Sequence, residues 1–157
     1  MGKPVNITVS GLGGQGVLKV TDILAEVLFR AGYDVKKSEV HGMSQRGGSV
    51  SSEVRFGDHV ASPMVPEGES DYLVVMDPTQ VEVNRHKLKE GGVLITTDMV
   101  PLDKLSNQKA LNTMMLGALS VHLSIPDELW REVICSFLPE KLHVLNMEMF
   151  ELGRQGK

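Results

Sequence analysis

An α/β fold, a mostly parallel but mixed sheet with helices on both faces, is the class this sequence predicts, on three observations. The β-branched run that starts at Val5 passes through a glycine-dense turn straight into an amphipathic stretch beginning at Val17. The nearly continuous apolar run Tyr72 to Met76 reads as a strand buried on both faces. It leads into a helix start at Asp77-Pro78 and a further strand at Val93 to Thr97, the order that makes a parallel pair. Ser49 to Phe56 alternates cleanly, the period of a half-exposed strand; such strands are commoner in antiparallel pairs, so the sheet is expected to be mixed.

Taken in order, the first strand ends in Gly11-Leu12-Gly13-Gly14-Gln15-Gly16, with Gly11, Gly13 and Gly16 in G-x-G-x-x-G spacing. A tight strand-to-helix turn needs glycines there for positive φ, for approach of a ligand to the backbone and for close packing of helix on strand. The unpaired N–H groups and aligned dipoles at the start of the helix favour an anion, which makes a Rossmann-like three-layer sandwich with an anion-ready cradle the natural reading. Val17, Val20, Leu24, Val27 and Leu28 fall on one face of a helix over 17–30, and Gly32 stops it. A second strand covers 34–40; Lys36 and Lys37 require a solvated face or a sheet edge. Glu39 stands about where a dinucleotide-binding fold carries its ribose-holding acid, so a free-standing NAD-binding protein using Gly11, Gly13, Gly16 and Glu39 is the alternative reading, beside that of a plain surface carboxylate.

The stretch from His41 to Gly48 is a loop rich in hydrogen-bonding side chains, with Arg46 ahead of two glycines. In the strand that follows, Val50, Ser52, Val54 and Phe56 share one face, and Ser51, Glu53 and Arg55 the other. Residues 61–70 read as a surface loop. A helix is predicted from Pro78 to about Glu90, stopped by Gly91-Gly92. From Asn107 onward the pattern is helical: Leu111, Met114, Met115, Ala118, Leu119 and Val121 form an apolar stripe, and Pro126 and Pro139 open two further helices. Trp130 is read as a packing anchor, the methionines as core filler and Cys135 as a buried small hydrophobe.

The 157 residues predict one domain, 1–157, able to bury roughly 70% of its unfolded surface. Ordinary hydrophobic (41%) and charged (23%) fractions exclude a disordered chain, and no apolar run reaches the roughly 20 residues that span a bilayer; no membrane partner and a cytoplasmic address are expected. A net charge of −4 and 4% aromatic residues argue against a nucleic-acid partner. With one cysteine the chain forms no internal disulfide and cannot hold an iron–sulfur cluster, which needs about four thiolates. His41, His59, His86, His122 and His143 are scattered singly, so no metal site is expected.

Three stretches together, Gly11 to Gly16, Ser38 to Ser49 and Asn112-Thr113-Met114-Met115-Leu116-Gly117-Ala118-Leu119, resemble the gamma subunit or domain of the 2-oxoacid:ferredoxin oxidoreductases. The wording of the second is most like the small (beta) subunits of the indolepyruvate type. The resemblance spans nearly the whole chain, with one departure: only Asp98 to Leu111 separates the last strand from the Asn112 stretch, where such proteins carry a longer insert. It implies a subunit of a CoA-dependent enzyme that decarboxylates a 2-oxoacid, indolepyruvate or another arylpyruvate by the wording of the loop, to an acyl-CoA and reduces ferredoxin. It implies further that thiamine diphosphate, Mg and the iron–sulfur clusters sit on a larger catalytic subunit, that this chain has no catalytic residue of its own, and that it is inactive alone. Two roles follow for Gly11, Gly13, Gly14, Gln15, Gly16, Ser44, Gln45, Arg46, Gly47, Gly48 and Asn112. They contact coenzyme A, whose phosphates suit a helix N-terminus and an arginine, or they pack at the subunit interface. His41 is expected to bond the loop backbone, and Asn112 to hydrogen-bond back to the glycine turn.

Overall fold

The computed structural model describes residues 3–41 and 48–157. Five strands form one sheet in the order β2-β3-β1-β4-β5: β1 Val5–Leu12, β2 Asp34–His41, β3 Ser49–Gly57, β4 Ser70–Val75 and β5 Leu88–Ile95. β3 runs antiparallel to both β1 and β2, while β1, β4 and β5 are parallel, so the predicted mixed sheet is found. β2, the strand with Lys36 and Lys37, is an edge, as its lysines require.

Helix α1 (Val17–Arg30) has the predicted bounds. It buries Val17, Val20, Ile23, Leu24, Val27 and Leu28 against Ile7, Val9, Val54 and Phe56 of the sheet, and Thr21 meets Ser52 of β3 at 2.8 Å. Helices α3 (Leu111–Ser120), α4 (Asp127–Ser136) and α5 (His143–Gln155) complete this core with Met114, Met115, Leu116, Trp130, Ile134 and Phe150. Trp130 is fully buried, as a packing anchor should be. Cys135 is half-buried rather than buried, and burial pushes its thiol up from the ordinary value.

The opposite face is covered differently from expectation. In place of one helix to Glu90, the chain makes a 3-10 turn at Pro78–Gln80, the four-residue helix α2 at Val81–Asn84 and another 3-10 turn at Arg85–Lys87, then enters β5. The reason is polar. Ser10, Ser51 and Thr8 point to this face, so the covering segment turns side chains that hydrogen-bond, not an apolar stripe, toward the sheet. Lys87 Nζ donates to Ser51 Oγ at 2.8 Å, Ser51 Oγ lies 2.9 Å from Ser10 Oγ, and Asn84 Nδ2 donates to the Gln80 carbonyl at 2.8 Å. Burial accordingly pushes the Lys87 ammonium down and the Glu53 carboxyl up from their ordinary values. Gly91 and Gly92 serve a register shift in β5 opposite Ser70 and Tyr72, not a helix stop. Gly91 takes φ 82°, and a Cβ at Gly92 would stand 3.1 Å from the Asp71 carbonyl oxygen. Residues 98–110, the short connection, pass through three 3-10 turns with Val100 buried, and bring α3 back beside α1.

Candidate functional site

β1, the central strand, delivers the chain to the glycine turn. A Cβ at Gly11 would stand 2.8 Å from Gln15 Oε1 and 3.0 Å from both Met76 Cβ and Val17 Cγ2, so glycine alone leaves room for the Gln15 side chain to fold back over it. There the Gln15 oxygen accepts the Leu12 N–H at 2.7 Å and its Nε2 donates to Asp77 Oδ2 at 2.7 Å. Gly14 and Gly16 take φ of 90° and 82°, the left-handed region. Gly16 caps α1 without a side chain, and no acid stands in the first turn of the helix, so its opening N–H groups face outward with their dipole uncompensated.

Asp77 accepts the Thr79 hydroxyl at 2.6 Å and the Thr79 N–H at 3.0 Å besides the Gln15 amide, and these bonds hold its carboxyl below the ordinary 3.8. A carboxyl depressed on folding contributes stability above its unfolded value and loses it as pH falls through the folded one. The expected result is an acid limb below pH 3.8 in thermal denaturation that is shallower in Asp77→Asn than in the parent chain.

Three stretches singled out in the sequence converge here. The Gly13 N–H donates to the Gly48 carbonyl at 2.9 Å, tying the end of the second motif to the first. The Asn112 side chain meets the turn by packing in place of the expected hydrogen bond: its Nδ2 stands 3.0 Å from where a Gly16 Cβ would be, while its Oδ1 accepts the Thr113 N–H at 2.8 Å. Ser44, Gln45, Arg46 and Gly47, with the His41 side chain, lie outside the described residues. In front of the turn, between α1 and α3, is a cleft of about 350 Å³ lined by Gly14, Gln15, Gly16, Lys19, Lys109 and Asn112. A second cavity of about 310 Å³ shares Lys19, Lys109 and Asn112 and adds Lys141. Among the described residues no Asp or Glu lines either one.

Sequence reasoning missed the three lysines. Lys19 carried a signal: a cation in the first turn of a helix opposes the macrodipole, which is sensible where an anion is to be met. Lys109 and Lys141 carried none, because only the packing of α3 and α5 brings them to α1. A larger hollow of about 410 Å³ lies at the other end of the sheet, where Lys3 stands beside two cations that are already engaged: Lys89 with Asp71 at 2.6 Å, and Arg55 with Asn6 Oδ1 and the Ser62 and Met64 carbonyls. Among the described residues no three His, Cys, Asp or Glu side chains gather as a metal site.

The dinucleotide alternative does not hold. Glu39 lies on the edge strand β2, antiparallel to β3 and two strands, or roughly 10 Å, from β1, and it pairs with Lys37 at 3.3 Å. No acid on β2 can stand beside the glycine turn as a ribose partner does. The family model described as pyruvate ferredoxin/flavodoxin oxidoreductase matches residues 6–156. The chain belongs to that family.

Within the family the chain is similar to the indolepyruvate oxidoreductase subunit IorB of Thermococcus kodakarensis. The two are 34% identical over 191 aligned positions, covering 96% of this chain and 95% of the relative. The aligned length exceeds the 157 residues of this chain, so the relative carries residues inside the aligned span that have no counterpart here, a difference of the kind the short connection implies. Among solved structures it resembles the gamma subunit of a keto/oxoacid ferredoxin oxidoreductase from Geobacter sulfurreducens PCA: TM-score 0.81, 25% identity, 99% of this chain and 100% of the other. It shares the fold of part of a 2-oxoglutarate:ferredoxin oxidoreductase from Magnetococcus marinus, with TM-score 0.84 and 22% identity over 99% of this chain and 31% of that one. That structure was solved with 2-oxoglutarate, coenzyme A and succinyl-CoA bound. The relatives are subunits of oxidoreductase complexes, and as a small subunit of a 2-oxoacid:ferredoxin oxidoreductase this family member is an enzyme as part of a complex. No described helix is long and apolar enough to cross a membrane.

Proposed function

We propose that the chain, acting as one gamma-type domain over 1–157, receives coenzyme A for a larger catalytic subunit of a cytoplasmic complex. That subunit carries thiamine diphosphate, Mg and the iron–sulfur clusters and passes electrons to ferredoxin; the oxoacid is indolepyruvate or another arylpyruvate. The observation that supports the CoA role is the acid-free cleft in front of the α1 N-terminus, where the open N–H groups after Gly16 stand with Lys19, Lys109 and Asn112. Phosphate oxygens suit that setting: helix N–H groups give short directional bonds, the macrodipole adds to them, and the lysines act as point charges. This chain's single cysteine does not fit an iron–sulfur cluster, which supports the reading that the redox centres lie on the partner. Packing at the subunit interface is the competing role, and Gly11, which leaves no space for a side chain, serves packing in either case.

Kinetics of the assembled complex separate the two. For Lys19→Ala combined with Lys109→Ala, the expected result is a KM for CoA raised about tenfold or more, at the rough value of one charge-assisted contact to phosphate, with kcat and assembly unchanged. An unchanged KM with weakened assembly would favour the interface role instead.

A further inference from the structure

Gln15 of the turn, a residue for either coenzyme A or the subunit interface, is also bonded to protein at each end of its amide: Oε1 accepts the Leu12 N–H and Nε2 donates to Asp77 Oδ2, each at 2.7 Å. Asp77 is itself held firmly. The residue before it continues the β1–β4 ladder, Met76 N–H donating to the Ser10 carbonyl at 2.7 Å, and its second carboxylate oxygen is fixed by the Thr79 N–H and hydroxyl. One oxygen is therefore presented to Gln15 in a set direction. The other recorded ties of the turn, Gly13 N–H to Gly48 and Gln15 N–H to Leu12, lead to β3 or stay within the turn, and neither reaches β4.

We propose that Asp77 is a positioning residue: acting through the Gln15 amide, 62 residues away in sequence, it anchors the glycine turn to the end of β4 and so sets where the Gly14–Gly16 backbone stands in the cleft. The consequence for coenzyme A rests on the function proposed above; the anchoring of the turn does not. Asp77 touches no reacting group. Its effect is on the shape of the N–H array that meets the anion, so it acts on binding and not on the chemical step.

Reversing the hydrogen bond tests this. Asp77→Asn sets an amide against the Gln15 amide, donor against donor, and Gln15→Glu sets carboxylate against carboxylate. In the double variant Gln15→Glu/Asp77→Asn the bond runs the other way: the asparagine Nδ2 donates to one oxygen of Glu, whose other oxygen still accepts the Leu12 N–H. Two readouts apply, amide hydrogen exchange at Leu12 in the full chain and KM for CoA in the assembled complex. Each single variant is expected to speed Leu12 exchange and raise KM about tenfold with kcat unchanged, and the double to regain most of both losses. Singles that leave Leu12 exchange unmoved, or a double no better than the two losses combined, would overturn the proposal. If Lys19→Ala raises KM while Asp77→Asn does not, the positioning role fails and the CoA reading stands. If exchange follows the swap but neither Lys19→Ala nor the singles move KM, the anchoring stands and the CoA reading fails.

Discussion

Gly153→Ala should unfold this protein more readily than almost any other substitution of one methyl group. α3 and α5 cross at two glycines: a Cβ at Gly153 would overlap the Met114 carbonyl oxygen and stand 3.2 Å from the Ala118 nitrogen, and a Cβ at Gly117 would overlap the Phe150 carbonyl oxygen. Each obstacle is helix backbone, which cannot turn aside as a flexible side chain does, so the helices must separate. Overpacking of this kind costs about 3 kcal/mol, which lowers Tm by about 6–12 °C for a chain of this size. Thermal denaturation measures it. Function follows the same path, because α3 presents Asn112 to Gly16 and any separation of the two helices shifts the wall of the cleft. A variant that melts with the parent would mean that α3 and α5 do not cross as described.

The second large effect is expected at Phe150. Its ring is wholly buried, 6.2 Å from that of Trp130, with the guanidinium groups of Arg131 and Arg154 at 5.2 and 5.9 Å from its centroid. Those arginines in turn tie α4, α5 and α3 together: Arg131 to Asp127 at 2.6 Å and Glu151 at 2.7 Å, Arg154 to Ser120 Oγ at 2.8 Å. Phe150→Ala therefore leaves a cavity and also removes the surface on which two cations rest, a loss of about 4 kcal/mol. The matching fall in Tm is about 8–16 °C. Phe29→Ala is the control: that ring is 67% exposed on α1, and its removal should stay within about 0.5 kcal/mol. Equal losses at the two positions would contradict the assigned core.

What the sequence made legible was whatever depends on a short-range period. α1 shows its stripe, β3 its alternation, β2 its lysines on an edge, and the glycine spacing announces the turn. The stretch 78–90 misled because the sheet face it covers carries Thr8, Ser10 and Ser51 beside its apolar residues; Gln80 and Asn84 are buried and Lys87 half-buried through hydrogen bonds, which leave no apolar stripe to read. At the site, the Gly16–Asn112 and Gly13–Gly48 contacts agree with motifs that the resemblance had singled out. Gln15, a residue for coenzyme A or for the interface in the sequence reading, is also held within the chain by its bond to Asp77. Neither that bond nor the gathering of Lys19, Lys109 and Lys141 is visible before the chain has folded, since each joins elements far apart in sequence.

Affinity purification of the tagged chain from its native cell decides whether this family member works inside a complex whose larger subunit does the chemistry. The expected result is a large partner containing iron, acid-labile sulfide and thiamine diphosphate, and reduction of a viologen dye that requires both CoA and a 2-oxoacid, an arylpyruvate serving best. A chain recovered alone and colourless, giving no CoA-dependent dye reduction, would contradict it.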